Sequence, residues 1–148
     1  MANADSVGQL YLDSFGQGRL ATITATKLNT AGNAVVALPF LSGGLTKGNA
    51  TTNSGQVIIR RITVCNPSGS VSSANVSIST TSDGANLITA NTVLSSVSGA
   101  VTFQDIAITG GNVAVSGYNS QALFVNVNTA SGNDNTVDIR VYGDVVSF

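Results

Sequence analysis

The chain has 148 residues, a net charge of −1 and only 9% charged residues, against about 25% in ordinary soluble domains. It contains no His, no Trp and no Glu, so all seven acidic residues are Asp. This inventory excludes an imidazole base, a Ser-His or Cys-His nucleophile pair, and a basic surface for polyanions. One domain is expected, able to bury roughly 70% of its unfolded surface without disulfides or metal. Solubility must come from Ser, Thr, Asn and Gly. The abundant Thr, Val and Ile favour strands, and the abundant Asn, Asp and Gly favour turns. An all-β fold follows.

Residues 1–17 stand apart as an N-terminal arm, and residues 18–148 form the β-sandwich domain. In the arm Leu10, Tyr11 and Phe15 are candidate contact residues, although periodicity leaves helix or strand open. Met1–Gly8 has neither a basic region nor the apolar run of an export signal. Cys65 is the only cysteine, so no intrachain disulfide is expected. Synthesis in a reducing cytoplasm fits both features. No stretch reaches the roughly 18 apolar residues of a membrane helix.

Residues 19–26 read as the first strand, with Ala21, Ile23 and Ala25 on one face and Leu20, Thr22, Thr24 and Thr26 on the other. A turn at 29–33 leads to a strand over 34–40, which Pro39 either places at an edge or ends. Residues 41–54 form a long polar loop, a candidate contact segment in which Leu45 and Lys47 stand out. Residues 56–66 are the strongest strand. Strict alternation places Val57, Ile59, Arg61, Thr63 and Cys65 on one face and Ile58, Arg60, Ile62 and Val64 on the other. Apolar residues on both faces suggest a second burial partner, so Ile58 and Ile62 are candidate contacts. The same alternation separates Arg60 from Arg61, so the only adjacent basic pair forms no patch and nucleic acid is not an expected partner. Cys65 reads as a buried, inert thiol.

Further strands are expected over 75–80, 92–97, 101–108, 113–115, 123–128 and 137–146, the last broken at Gly143. In 123–128, Leu123, Val125 and Val127 face inward. Turn signals at Asn66-Pro67 and Asp83-Gly84 punctuate the series. Such a succession of short strands suits an antiparallel two-sheet sandwich, and eight strands suggest a jelly roll, with an immunoglobulin-like sandwich as the alternative that strand count does not separate from it.

Candidate chemistry is sparse. Most Asp residues sit in turn-like text, where they serve the turn rather than acid–base work. Asn133, Asp134, Asn135 and Asp138 offer oxygen ligands of the kind Ca²⁺ accepts. They lack the closing Glu of a helix–loop–helix calcium loop, and a hairpin turn explains the same residues. Gly16-Gln17-Gly18-Arg19-Leu20-Ala21 has the letters of a dinucleotide fingerprint, but a Thr-rich strand follows instead of a helix. No catalytic residue, cofactor or metal is assigned, and the chain is expected not to be an enzyme. Tyr118, between Gly117 and Asn119, is the aromatic placed like a loop contact.

The segment from Arg61 to Phe148 carries a resemblance. Its strand ending in Asn66-Pro67, the turn Thr81-Ser82-Asp83-Gly84, and the final strand closing on Tyr142-Gly143-Asp144 are similar to small cement (decoration) proteins of tailed-bacteriophage capsids. The resemblance implies a jelly-roll body and a homotrimer bound to the outer surface of the virion shell. The major capsid protein would be the partner, and no catalytic residues carry over. The alternative is a tail- or fibre-associated module that binds a glycan or receptor, centred on the 41–54 loop and Tyr118.

Overall fold

The computed structural model describes residues 11–12, 18–39, 56–109, 113–116 and 122–146. Within them the chain forms ten strands and no helix. These are β1 (Tyr11–Leu12), β2 (Gly18–Lys27), β3 (Gly32–Pro39), β4 (Gln56–Cys65), β5 (Asn75–Ser79), β6 (Thr92–Val93), β7 (Gln104–Ile106), β8 (Val113–Ser116), β9 (Ala122–Thr129) and β10 (Thr136–Val146). One sheet has the order β1-β2-β10-β4-β7, with β8 also paired to β4; the other is β3-β9-β5-β6. Every pairing is antiparallel. The two sheets enclose one core, and the molecule is an antiparallel two-sheet sandwich.

That core is aliphatic. Leu20, Ile59, Ile62, Ile106 and Ile139 from the six-stranded sheet meet Leu38, Ile78 and Leu123 from the four-stranded one, all at 2% exposure or less. Each such side chain stabilises the fold by about 1.5–3 kcal/mol on burial. In β9 the expected alternation holds, since Leu123, Val125 and Val127 are buried. Strand β3 lies at the edge of its sheet and ends at Pro39, which lacks an N–H for a further ladder bond. The expected strands over 92–97 and 101–108 shorten to β6 and β7. Leu94 and Val97 still reach the core, because a turn delivers them: the Leu94 N–H bonds Ala74 O at 2.9 Å and the Val71 N–H bonds Val97 O at 3.0 Å.

Strict alternation fails at the centre of the six-stranded sheet. Along β10, Tyr142 pairs with Arg61 but Gly143 with Ile59, so Arg60 is an extra residue in β4. On the other flank Val141 pairs with Ala21 but Tyr142 with Arg19, so Leu20 is extra in β2. Each extra residue is a bulge, and a bulge reverses which parity faces inward. Ile59 therefore points to the core, and so do Ile62 and Val64, which sequence alternation placed opposite it. Leu20 and Ala21 are both fully buried for the same reason. Arg60 and Arg61 both emerge on the outer face, where Arg60 binds Asp144 at 2.5 Å and Arg61 binds Asp105 at 3.0 Å.

Gly143 makes the double bulge possible. It does not break β10, which runs through it. A Cβ there would lie 1.9 Å from the Ile58 carbonyl oxygen and 2.9 Å from Leu20 Cδ1. Only a residue without a side chain lets the backbones approach this closely. Gly143→Ala should lower the unfolding free energy by about 1–3 kcal/mol or more, read as a shift in urea midpoint at unchanged slope.

Candidate functional site

The outer face of the six-stranded sheet collects most of the described charge. Along β10 the inward residues Val137, Ile139 and Val141 alternate with outward Asp138, Arg140, Tyr142 and Asp144. Beside them β4 presents Arg60, Arg61, Thr63 and Cys65, and β7 presents Asp105. The charges pair as Arg60–Asp144, Arg61–Asp105 and Arg140–Asp138. Thr63 donates its hydroxyl to Asp105 Oδ1 at 2.6 Å, and the Arg61 Nε–H bonds both Asp105 oxygens at 3.0 Å. The half-exposed Arg60–Asp144 and Arg61–Asp105 pairs contribute little stability individually, about 0–1 kcal/mol. The three pairs match the charges of β4, β7 and β10 in sign, and Arg19 on β2, opposite Tyr142, adds a fourth guanidinium to the face.

Asp138 differs from the others in being buried, at 5% exposure. Its Oδ1 accepts the Ala25 N–H at 2.9 Å and its Oδ2 accepts the Asn66 amide at 3.1 Å. Both donors belong to residues with left-handed backbone, Ala25 at φ +50 and Asn66 at φ +51. One carboxylate thus fixes a second bulge in β2 and the turn leaving β4. The four-stranded sheet repeats the device: Asn126 Oδ1 accepts the N–H of Ala34, at φ +49, while its amide donates to Ser79 Oγ. Sequence alternation turned Asn126 outward and did not show that it is enclosed at 2% exposure.

Above this face stands the turn over residues 98–103. Thr102 Oγ1 accepts the Ser98 and Gly99 N–H groups, each at 3.1 Å, and donates to Gly99 O at 2.6 Å. Gln104 bridges to a neighbouring segment, accepting the Ser96 N–H and donating to Val93 O, both at 2.8 Å. The turn so braced leaves Val101 at 96% exposure and Phe103 at 57%. Between turn and sheet lies an open groove of about 630 Å³, bordered by Arg61, Cys65, Asn66, Phe103, Arg140 and Tyr142. That size lies within the range of small-molecule sites and of interface pockets.

Cys65 lines the groove and is half-buried, not part of the core, because the bulge moved its side of β4 outward. Burial pushes its thiol pKa up, and the opposing pull of Arg140 and Arg61 does not cancel that. Burial also works against the charged form of Arg140, but a hydrogen bond to Tyr142 and the nearby Cys65, Tyr142 and Asp138 hold the guanidinium more firmly protonated than usual.

The 133–138 loop is tied up internally. Asp134 receives the Asn29 amide at 2.6 Å and pairs with Lys27 at 3.5 Å. The Asn133 and Asn135 amides both donate to Ser70 O, and Asn133 Oδ1 accepts the Asn135 N–H. Asp138 faces away on the sheet. Among the described residues no three of His, Cys, Asp or Glu converge on a common point.

The candidate contact residues separate. Ile62 is fully buried in the core, whereas Ile58 is half-buried on the outer face opposite Asp144. The backbone of Tyr11 lies in β1, paired with Arg19. Leu10, Phe15, Leu45, Lys47 and Tyr118 lie outside the described residues. Sequence reading did not single out Val101, Phe103, Arg140 or Asp138 as surface-defining. Comparison with protein-family models, with curated proteins and with solved structures gave no match.

Asp138→Ala should cost about 1–3 kcal/mol, because it leaves the Ala25 N–H and the Asn66 amide without their acceptor. Asp138→Asn keeps one acceptor oxygen and should cost less; denaturant titration of both variants checks the order. Cys65 should react slowly with thiol reagents at neutral pH and quicken only above the ordinary thiol range. Since folding favours the protonated thiol, its contribution to stability is complete below the unfolded-state pKa and lost as pH rises through the raised one. Labelling rate against pH, with Cys65→Ser as the blank, measures this.

Proposed function

We propose that the chain is a structural capsid cement protein. In this reading it binds the outside of an assembled phage shell as a homotrimer, contacts the major capsid protein, and stiffens the shell without catalysing a reaction. The observation that carries the reading is the braced turn that holds Val101 and Phe103 in solvent above the ion-paired strands β4, β7 and β10. Exposed large apolar side chains cost solubility, and rigid ones lose little entropy on docking, so their natural use is contact. The sandwich supplies a stiff body for that contact. Its strand order also supports the finer topology: β2-β10-β4-β7 facing β3-β9-β5-β6 suits a jelly roll, with successive strands passing between the two sheets.

The groove favours one second reading. Phe103 and Tyr142 line it beside Asn66 and Arg140, and aromatic rings with polar neighbours suit a glycan. A tail- or fibre-associated receptor-binding module would use it in that way.

Purified protein should sediment as a trimer and co-sediment with shells of its own virus, and decorated shells should withstand more heat and osmotic shock than bare ones. A protein that stays monomeric and never pellets with such shells would refute the cement reading. A specific glycan-array signal, lost in Phe103→Ala, would favour the second.

A further inference from the structure

We infer that the groove between the 98–103 turn and the outer face of β4 and β10 is a binding site for a small carboxylate whose body carries a ring or apolar face. The inference is independent of the cement reading. It sharpens the glycan reading, and rests on that reading only in naming an acidic sugar as one source of the carboxylate.

The sign of the ligand follows from the walls. Arg61 and Arg140 border the groove, and no Asp is among the described residues that do. Their counter-ions are engaged elsewhere. Asp138 is enclosed, giving Oδ1 to the Ala25 N–H and Oδ2 to the Asn66 amide, and its contact with Arg140 is 3.5 Å long. The Arg140 Nε–H is enclosed without an acceptor. Asp105 is shared between Arg61 and Thr63. The Cys65 thiol in the same wall, kept protonated by burial, brings no negative charge at neutral pH. With Arg19 opposite Tyr142, four guanidinium groups share this face with three carboxylates, one of them enclosed. The chain as a whole is nevertheless at −1. An anion gains from such a local excess and a cation does not.

The kind of anion follows from the rest of the wall. A guanidinium fork matches a carboxylate with two parallel hydrogen bonds. Arg61 and Arg140 each have one carboxylate neighbour already, so the residual charge suits a single carboxylate rather than a phosphate dianion. Asn66 spends one amide hydrogen on Asp138, and a primary amide has two. Phe103 and Tyr142 border the same space, where an aromatic wall favours a ligand with a ring or apolar face. The Thr102 and Gln104 hydrogen bonds fix the turn that bears Phe103, so binding orders no loose loop. A volume of about 630 Å³ accommodates one such ring.

Amide NMR titration of the wild-type chain tests this with two acid–amide pairs, glucuronate against glucuronamide and benzoate against benzamide. At least one acid should shift the Asn66, Thr102 and Tyr142 amides saturably, with a Kd of about 1–10 mM, and bind about tenfold more tightly than its amide. Its binding should weaken as salt rises, and the bound acid should slow maleimide labelling of Cys65. Arg140→Gln and Phe103→Ala should each weaken binding by about fivefold or more. Phe103 stands in solvent, so its replacement keeps the fold, and the acid–amide comparison needs no variant. The inference is overturned if neither acid binds by about 50 mM, if neither binds better than its amide, or if the shifts map away from the groove.

The pairs also separate this result from the glycan reading. Benzoate binding without glucuronate binding would keep the carboxylate site and remove the sugar. Glucuronate and glucuronamide binding equally, with benzoate no better than benzamide, would keep a glycan site and overturn the inference.

Discussion

At Gly143 the backbones of β10 and β4 meet with no side chain between them. The Ile58 carbonyl occupies the space a Cβ would need, and Leu20 presses in from the opposite strand. Because β10 is the shared neighbour of β2 and β4, both flanking strands must absorb the close approach, and each does so with one extra residue. Each bulge reverses the inward parity of its strand, so the pair decides which side chains form the core and which form the outer face. Leu20, Ala21, Ile59, Ile62 and Val64 are all core because of it. The outer arrangement of Arg60, Arg61, Thr63 and Cys65 is the other half of the same event.

A second layer of control comes from enclosed polar groups. Asp138 and Asn126 each hold the N–H of an alanine in left-handed backbone, one in each sheet. Alanine in that region is strained by about 1 kcal/mol or more, and a captured N–H offsets the strain. These contacts anchor the two ends of the β2–β3 connection. Asp138 also reaches Asn66, so the exit of β4 and the bulge of β2 are fixed by one side chain. The groove is therefore bordered by a sheet whose irregularities are locked.

The fold class was legible because it rests on composition and on alternation that survives in β5 and β9. Strand β4 was legible in extent but not in facing. Its run Ile58-Ile59-Arg60-Arg61-Ile62 doubles each type in succession, which period-2 alternation cannot accommodate, and that doubling is the visible trace of the bulge. Reading the run as strictly alternating separated Arg60 from Arg61 and placed Cys65 with the core. The groove was not legible, since its border joins residues 61–66, 103 and 140–142, and only register brings them together. Nor was the turn at 98–103, where a hydroxyl–backbone pattern replaces the strand that Val101 and Ile108 suggested. Ile88 shows the same limit: its N–H bonds Ile78 O outside any regular strand, and it is buried by an irregular segment.

Strand β10 is central in its sheet yet follows every other described strand in the chain. During synthesis β2 and β4 leave the ribosome early and must wait, with their facing edges open, for the strand that fits between them. Until then the six-stranded sheet lacks its middle, and the aliphatic side chains of both strands remain available to the wrong neighbours. Long stretches of sequence separate both waiting strands from β10, which makes closure a slow, non-local event. The ordering leaves the facing edges of β2 and β4 open in the nascent chain until β10 is delivered between them.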